Sequence, residues 1–347
     1  MAEYAEEGTG PAPGPETNTR RGADQEAPPL EEAMMDLSQV GKTIDGDGFT
    51  YFKLDCVGKN ASAIDILTDY PHLRQVDLSK NSIKDVSPLL EVPHILRLNL
   101  AGNSIENIDP WVCDALPTPM GRSRGHVLKH LLYLDLSNNK LTALPPLCMP
   151  ALKRVNFSWN QIATCEAFEG HNKLESLDLS ENRLESLRGV QEMPRLQTLN
   201  VAGNALTSAA GVSQVPALNT LDFSKNKLET LKDEDGAWDG MKALYSLKLS
   251  GNEIKAANAL ETLMKLPKLR SVEVAPNPVT EEGEVNIKLE ILIFNYHVKK
   301  IDGEDVEDDD REKAKELNEE RLEKERQRKA EEEEAARKAT EEGAEEE

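Results

Sequence analysis

The sequence has few aromatic residues, 4% Phe, Trp and Tyr in 347, and only four cysteines, Cys56, Cys113, Cys148 and Cys165. The cysteines stand far apart with no CxxC pair, and no two histidines have helical metal-ligand spacing, so the usual zinc and redox motifs are excluded. All four read as reduced thiols. No run of about 18 apolar residues occurs, which excludes a spanning helix. The opening MAEYAEEGTGPAPGPETNTRRGADQEAPP lacks the apolar core and basic flank of a signal peptide. Basic residues are in deficit, 41 Lys and Arg against 63 Asp and Glu, for a net charge of −22. So acidic a chain is a poor ligand for a phosphate backbone, because nucleic-acid affinity rests largely on Lys and Arg. The expectation is a soluble cytoplasmic protein that binds neither nucleic acid nor membrane.

Self-similarity is what the chain has in abundance. VDLSKNSI from Val76, LNLAGNSI from Leu98, LDLSNNKL from Leu134, VNFSWNQI from Val155 and LDLSENRL from Leu177 align with LNVAGNAL from Leu199, LDFSKNKL from Leu221, LKLSGNEI from Leu247 and VEVAPNPV from Val272. The aligned asparagines are Asn81, Asn103, Asn139, Asn160, Asn182, Asn204, Asn226, Asn252 and Asn277, at intervals of 22, 36, 21, 22, 22, 22, 26 and 25 residues. Nine copies of LxxLxLxxNxL at this period predict an α/β leucine-rich-repeat solenoid, with a curved parallel sheet on its concave side and short helical turns on its convex side. Alternate apolar residues of a short strand, such as Val76 and Leu78, point inward. Each Asn turns the chain, and its amide is expected to bond backbone groups of neighbouring turns. No copy buries its own apolar face, so the array stands by stacking and its ends need caps.

The boundaries follow from these signals. Residues 1–29 read as disordered; 30–70 as an N-terminal cap helix, LEEAMMDLSQVGKT, followed by a half-repeat; 71–280 as repeats; and 281–306 as a C-terminal cap of helix and apolar strand. The 36-residue interval holds DPWVCDALPTPMGRSRGHVLKH, whose Pro, Gly and Arg content reads as a surface loop over 111–130. From 307 to 347 the chain reads as a charged, solvated helical tail, the alternative being a disordered charged tail. Glu304–Glu347 carries 21 acidic and 10 basic residues, half of the whole chain's net charge, with opposite charges spaced to support a helix and too few apolar residues for a coiled-coil seam.

Between the two inward residues of each strand, one residue faces the concave side. That row reads Asp77, Asn99, Asp135, Asn156, Asp178, Asn200, Asp222, Lys248, Glu273. Aspartates on alternate strands sit about 10 Å apart, too far for a shared-proton dyad or bidentate metal capture. No catalytic residue, metal ligand, cofactor or small-molecule substrate site is expected, and Asp77, Asp135, Asp178 and Asp222 read either as solvated repeat residues or as an acidic strip for a basic partner. Tyr133 and Arg154 fall in one concave column, and Trp159 takes a rim position filled elsewhere by Lys80, Gly102, Glu181 or Gly203. Exposed Trp, Tyr and Arg are the residue types of binding hot spots. The alternative is a Trp159 folded over its own rim. His72, His94, His126, His130, His171 and His297 read as scattered and structural.

The repeat alone names no function. The order of parts is more specific: the half-repeat YFKLDC, then AIDILTDYPHLRQVDLSKNSIKDVSPL, a run of short repeats, then KKIDGEDVEDDDREKAKEL and a Glu/Arg/Lys helix. From about Leu30 to Leu322 this order resembles the leucine-rich-repeat protein of the ciliary radial spoke. The resemblance implies a non-enzymatic structural subunit of the cilium or flagellum axoneme, part of the cytoskeleton, that binds other radial spoke or axonemal proteins and supports motility. It departs in the loop from Trp111 to His130. Two other families join similar parts. A nuclear acidic histone-binding repeat protein has a tail of nearly pure Asp and Glu, whereas this tail interleaves basic residues, and a phosphatase-regulatory repeat subunit has no need of the tail.

Overall fold

In a computed structural model the chain is described over residues 27–345, apart from 44, 45, 47, 112–127, 169, 191, 213, 214, 233–235, 237 and 282–285. Each repeat forms a strand of three residues: β3 (Gln75–Asp77), β4 (Arg97–Asn99), β5 (Tyr133–Asp135), β6 (Arg154–Asn156), β7 (Ser176–Asp178), β8 (Thr198–Asn200), β9 (Thr220–Asp222), β10 (Ser246–Lys248) and β11 (Ser271–Glu273). The hairpin of β1 (Asp36–Lys42) and β2 (Phe49–Asp55) precedes them, and that of β12 (Lys300–Ile301) and β13 (Glu304–Asp305) follows. All thirteen strands join one sheet in chain order, parallel from β2 to β12 and antiparallel in the two terminal hairpins. The middle residue of every repeat strand is buried, and its two neighbours are half-exposed or exposed on the concave face.

The ladder asparagines hold the turns together. Asn182 donates from Nδ2 to Phe157 O of the preceding turn and to Leu179 O of its own, each at 3.0 Å, and its Oδ1 accepts from Ile162 N at 3.0 Å. One amide thus satisfies backbone groups on two adjacent turns that no strand partner can reach. The pattern begins at Asn81, which accepts from Lys59 N and Ala61 N and donates to Cys56 O, and runs to Asn277 on Leu249 O. Asn295 serves the cap in the same way, donating to Leu263 O and Leu266 O at 2.8 Å.

The expected N-terminal cap helix is corrected. Only Glu32–Met34 forms a single 3-10 turn, and the chain then enters the β1–β2 hairpin. The sheet itself explains this. The first repeat strand exposes a ladder edge, and β2 covers it in parallel, pairing Leu54 with Val76, while β1 folds back on β2. Gly41 is required there, because a β-carbon would collide with the Phe52 ring. Residues 27–30, placed partly in the expected disordered segment, are held against the half-repeat: Ser62 N donates to Pro28 O and Leu30 N to Ala63 O. The rest of that segment, 1–26, lies outside the described residues.

The convex side carries 3-10 turns at Asp65–Asp69, Ser87–Glu91, Asp109–Trp111 and Ala257–Lys265. Most of the 111–130 loop lies outside the described residues, but its anchors belong to the core. Trp111 is buried with Nε1 donating to Val86 O at 3.2 Å, and Leu128 is buried too. Cys56 and Cys165 are buried free thiols, whereas Cys148 is disulfide-bonded, which corrects the reading of four reduced thiols.

At the C-terminal end α1 (Pro278–Glu281) and α2 (Ile287–Phe294) close the core, and Asp302 Oδ1 accepts from Val274 N and Ala275 N. The charged tail is one helix, α3 (Asp308–Glu345). Its first turns do not stand free in solvent. Ala314 is buried, Lys288 pairs with Asp310 at 2.6 Å, and Arg321 makes a two-pronged contact with the buried Glu290 at 2.7 and 2.5 Å. The helix is therefore docked on α2 before it leaves the solenoid.

Replacing Asn182 by Leu keeps the branched side-chain shape and removes the bridge, leaving buried backbone groups unpaired. The expected cost is about 1 to 3 kcal/mol, read as a lower denaturation midpoint; an unchanged midpoint contradicts the role given to the ladder.

Candidate functional site

Because the strands are in register, the concave face is two parallel columns of side chains. One holds the residue before the buried strand centre, the other the residue after it. The second column contains the predicted aspartates, and the structure commits them to the fold. Asp77 accepts from Ser79 N at 3.0 Å and Ser79 Oγ at 2.6 Å through one oxygen and from Asn99 Nδ2 at 3.0 Å through the other. Asp178 repeats this with Ser180 and Asn200, and Asp135 with Ser137 N and Asn156 Nδ2. Asp222 accepts from Ser224 N, and the row ends in the Lys248–Glu273 ion pair at 3.0 Å. Strands lie about 4.8 Å apart, so an amide between successive carboxylates removes the closest like-charge contacts. Among the described residues no group of three His, Cys, Asp or Glu side chains is placed to hold a metal ion.

The first column changes character along the sheet. From β2 to β6 it holds long side chains, Lys53, Gln75, Arg97, Tyr133 and Arg154, and from β7 to β11 only Ser176, Thr198, Thr220, Ser246 and Ser271. The long end encloses a groove of about 540 Å³. Tyr133 and Arg154 are brought together on adjacent strands, and Arg97, not singled out from the sequence, completes the cluster. Its guanidinium lies 4.7 Å from the Tyr133 ring centre, and that of Arg154 lies 5.7 Å from it. Arg74 similarly covers Phe52 at 4.1 Å. Cation–π contacts of this kind hold guanidiniums by their faces and leave the N–H edges open.

Trp159 stands across the strand direction from this cluster, on the turn that precedes ladder Asn160. In eight of the nine repeats this turn has a left-handed backbone: Lys80, Gly102, Asn138, Glu181, Gly203, Lys225 and Gly251 all have positive φ, and so does Trp159 at 56°, while the ninth repeat has Pro276 there after a cis peptide bond. A bulky aromatic is a poor occupant of that region. Its ring is nonetheless 62% exposed and not folded onto the rim. The left-handed turn belongs to the repeat and is shared with Lys80, Glu181 and Lys225, so what sets Trp159 apart is a large exposed ring at that position.

The histidines are less scattered than their sequence positions imply. His72, His94 and His130 stack on consecutive repeats with ring centres 5.9 and 6.0 Å apart. Burial holds the His94 pKa below its ordinary value, and the neighbouring charges of His130, His72, Lys129 and Arg74 push the same way. His171 is buried and also lowered by desolvation, with Nδ1 accepting from Lys173 N and Nε2 on Met149 O. His126 lies outside the described residues. Burial pushes the Cys165 thiol up to about 12, so it is no nucleophile at neutral pH.

Comparison with known proteins agrees with the fold. A leucine-rich-repeat family model matches residues 163–206 and a second matches 130–150. Leucine-rich repeat-containing protein 23 of Bos taurus is 30% identical over 316 residues, covering 84% of this chain and 80% of its own length. The Homo sapiens protein of that name is 31% identical over 308 residues, covering 82% and 78%. Among solved structures, the leucine-rich repeat domain of APL1B is 20% identical with a TM-score of 0.47, over 62% of this chain and 58% of that one.

Two outcomes follow from the geometry. The Trp159→Ala variant, alone or with Arg154→Glu, is expected to weaken partner capture while leaving the melting curve nearly unchanged; a large loss of stability with undiminished capture contradicts the anchor. The histidine stack sets a pH dependence of definite sign. The folded-state pKa of His94 lies below the unfolded value of about 6.5, so the unfolded chain takes up the proton first as pH falls. The stack's contribution is complete above about pH 6.5 and is lost below it. Comparing unfolding midpoints at about pH 7.5 and 5.5, wild type should lose more stability than His94→Gln, and equal slopes contradict the coupling.

Proposed function

We propose, from the premise that the chain belongs to the family of leucine-rich repeat-containing protein 23, that it is a non-catalytic scaffold of the ciliary or flagellar axoneme, a radial spoke subunit that binds other spoke proteins and supports motility. The order of parts carries this reading: half-repeat, short repeats, the KKIDGEDVEDDD junction and a mixed-charge helix, in the arrangement that resembles the radial spoke protein. The concave face supports the binding role. Arg97, Tyr133, Arg154 and Trp159 supply the residue types that dominate interface energies, and among the described residues no convergent catalytic constellation competes with them. The tail favours this reading over a nuclear histone-binding one, because 10 basic residues are interleaved with its 21 acidic ones. Its docking on α2 gives it a structural role that a phosphatase-regulatory subunit does not call for.

The test is cellular and biochemical together. The tagged protein should co-purify with isolated axonemes, and cells lacking it should build cilia of ordinary microtubule arrangement that beat poorly and lack spoke density. Normal spokes and beating in such cells, or recovery chiefly with nuclear or phosphatase complexes, overturns the axonemal assignment and spares the fold.

A further inference from the structure

Ion pairing on the concave face is selective. Lys53 pairs with Asp55 at 2.5 Å and Lys248 with Glu273 at 3.0 Å, and just ahead of the strands Lys153 pairs with Glu175 at 3.0 Å. Arg97 and Arg154 make no ion pair or side-chain hydrogen bond with any described residue, although the chain carries 63 acidic groups and aspartates fill the adjacent column. The cause lies in those aspartates. Both oxygens of Asp77 and Asp135 are already engaged, one by the backbone two residues on and the other by the Asn amide of the next strand. Both guanidiniums instead lie over the Tyr133 ring, that of Arg97 from the strand before it and that of Arg154 from the strand after, so two donor forks flank one ring with no hydrogen bond to a described side chain.

A fork of this geometry matches a carboxylate. The surrounding charge selects among anions. The groove is lined by Lys53, Arg97 and Arg154 against Asp55, Asp77, Asp135 and Asp178, one more negative than positive, so a doubly charged phosphate is disfavoured there relative to a single carboxylate. We infer that Arg97, Tyr133 and Arg154 form a carboxylate clamp that reads a Glu or Asp side chain on the bound segment of a protein partner, which rests on the concave face being the partner-binding face proposed above. The free charge of the Asp135 and Asp178 row favours a basic residue beside that acid, so the segment recognised is of mixed charge.

The experiment uses the full chain and two blocked peptides, Lys-Glu-Gly-Glu-Lys and its Gln counterpart Lys-Gln-Gly-Gln-Lys, followed by calorimetry and by the guanidinium nitrogen resonances of Arg97 and Arg154. The Gln peptide is net positive and so is favoured by long-range attraction to a chain of −22. The Glu peptide is nevertheless expected to bind about ten- to a hundredfold more tightly, to shift both arginine signals, and to lose that preference in the Arg97→Gln/Arg154→Gln double variant, whose melting curve should match wild type. Arg97→Lys/Arg154→Lys should keep part of the attraction and lose most of the preference, because an ammonium lacks the fork. Inorganic phosphate should not displace the peptide. Equal affinity for the two peptides, an undiminished preference in the double Gln variant, or displacement by phosphate overturns the clamp. If the clamp fails while axonemal partners are still captured by wild type and not by Trp159→Ala, the scaffold reading stands; if those partners are captured by neither, it falls on its own test.

Discussion

The amide of the ladder asparagine is the interaction on which everything else in this molecule rests. Three-residue strands leave most of each turn's backbone outside the sheet, and those groups need partners within a narrow interior. An Asn at one position of every turn supplies an acceptor for the turn behind it and donors shared between that turn and its own, as Asn103 does with Ile83 N, Leu78 O and Leu100 O. From Asn81 to Asn252 the residue before it lies in the left-handed region, and this is why Gly, Asn and exposed polar residues recur there. The same requirement governs the ends. Cys56 O and Ala61 N in the half-repeat are satisfied by Asn81, and Leu263 O and Leu266 O on the convex side of the last full turn are satisfied by Asn295 of the cap.

Once the ladder and the buried strand centres are set, the concave face has only two free columns, and they have separate tasks. The alternating Asp and Asn of the second column lock neighbouring turns through side-chain hydrogen bonds and space the carboxylates apart. That leaves the first column to vary. Its long residues gather at the N-terminal half and its hydroxyl residues at the C-terminal half, so the face has a featured groove at one end and a low floor at the other. A residue that serves the stacking is not available to a ligand, so variation is tolerated only in the first column.

The solenoid, its register and the ladder were legible because they repeat; what escaped was whatever occurs once. The N-terminal hairpin was hidden by the helical spacing of Leu30, Met34 and Leu37, although Asp45-Gly46-Asp47-Gly48 between two alternating runs is a hairpin signal. The histidine stack was hidden by the long insertion: His72, His94 and His130 are separated by 22 and 36 residues, the same intervals that separate Asn81, Asn103 and Asn139. Arg97 was missed for the same reason, since it lies one insertion ahead of Tyr133. In the tail, Ala314 and Arg321 are single residues in a charged run, and nothing in composition distinguishes a docked first third from a solvated remainder.

That docking changes what the tail is mechanically. A mixed-charge helix joined by a flexible hinge samples many directions and transmits no torque. Here Lys288–Asp310 and Arg321–Glu290 fix two points on α3 separated by three helical turns, with Ala314 packed between them. Two points on a straight helix fix its axis. The 38 residues of α3 span about 57 Å, and their direction is set by α2, which is itself the closing layer of the solenoid. Because Glu290 is buried, swinging the helix away strands its carboxylate without a counter-charge, and that cost opposes hinge motion. Sheet, cap and the first turns of the helix are therefore joined by buried contacts, with the concave groove towards one end of the solenoid and the docked helix at the other.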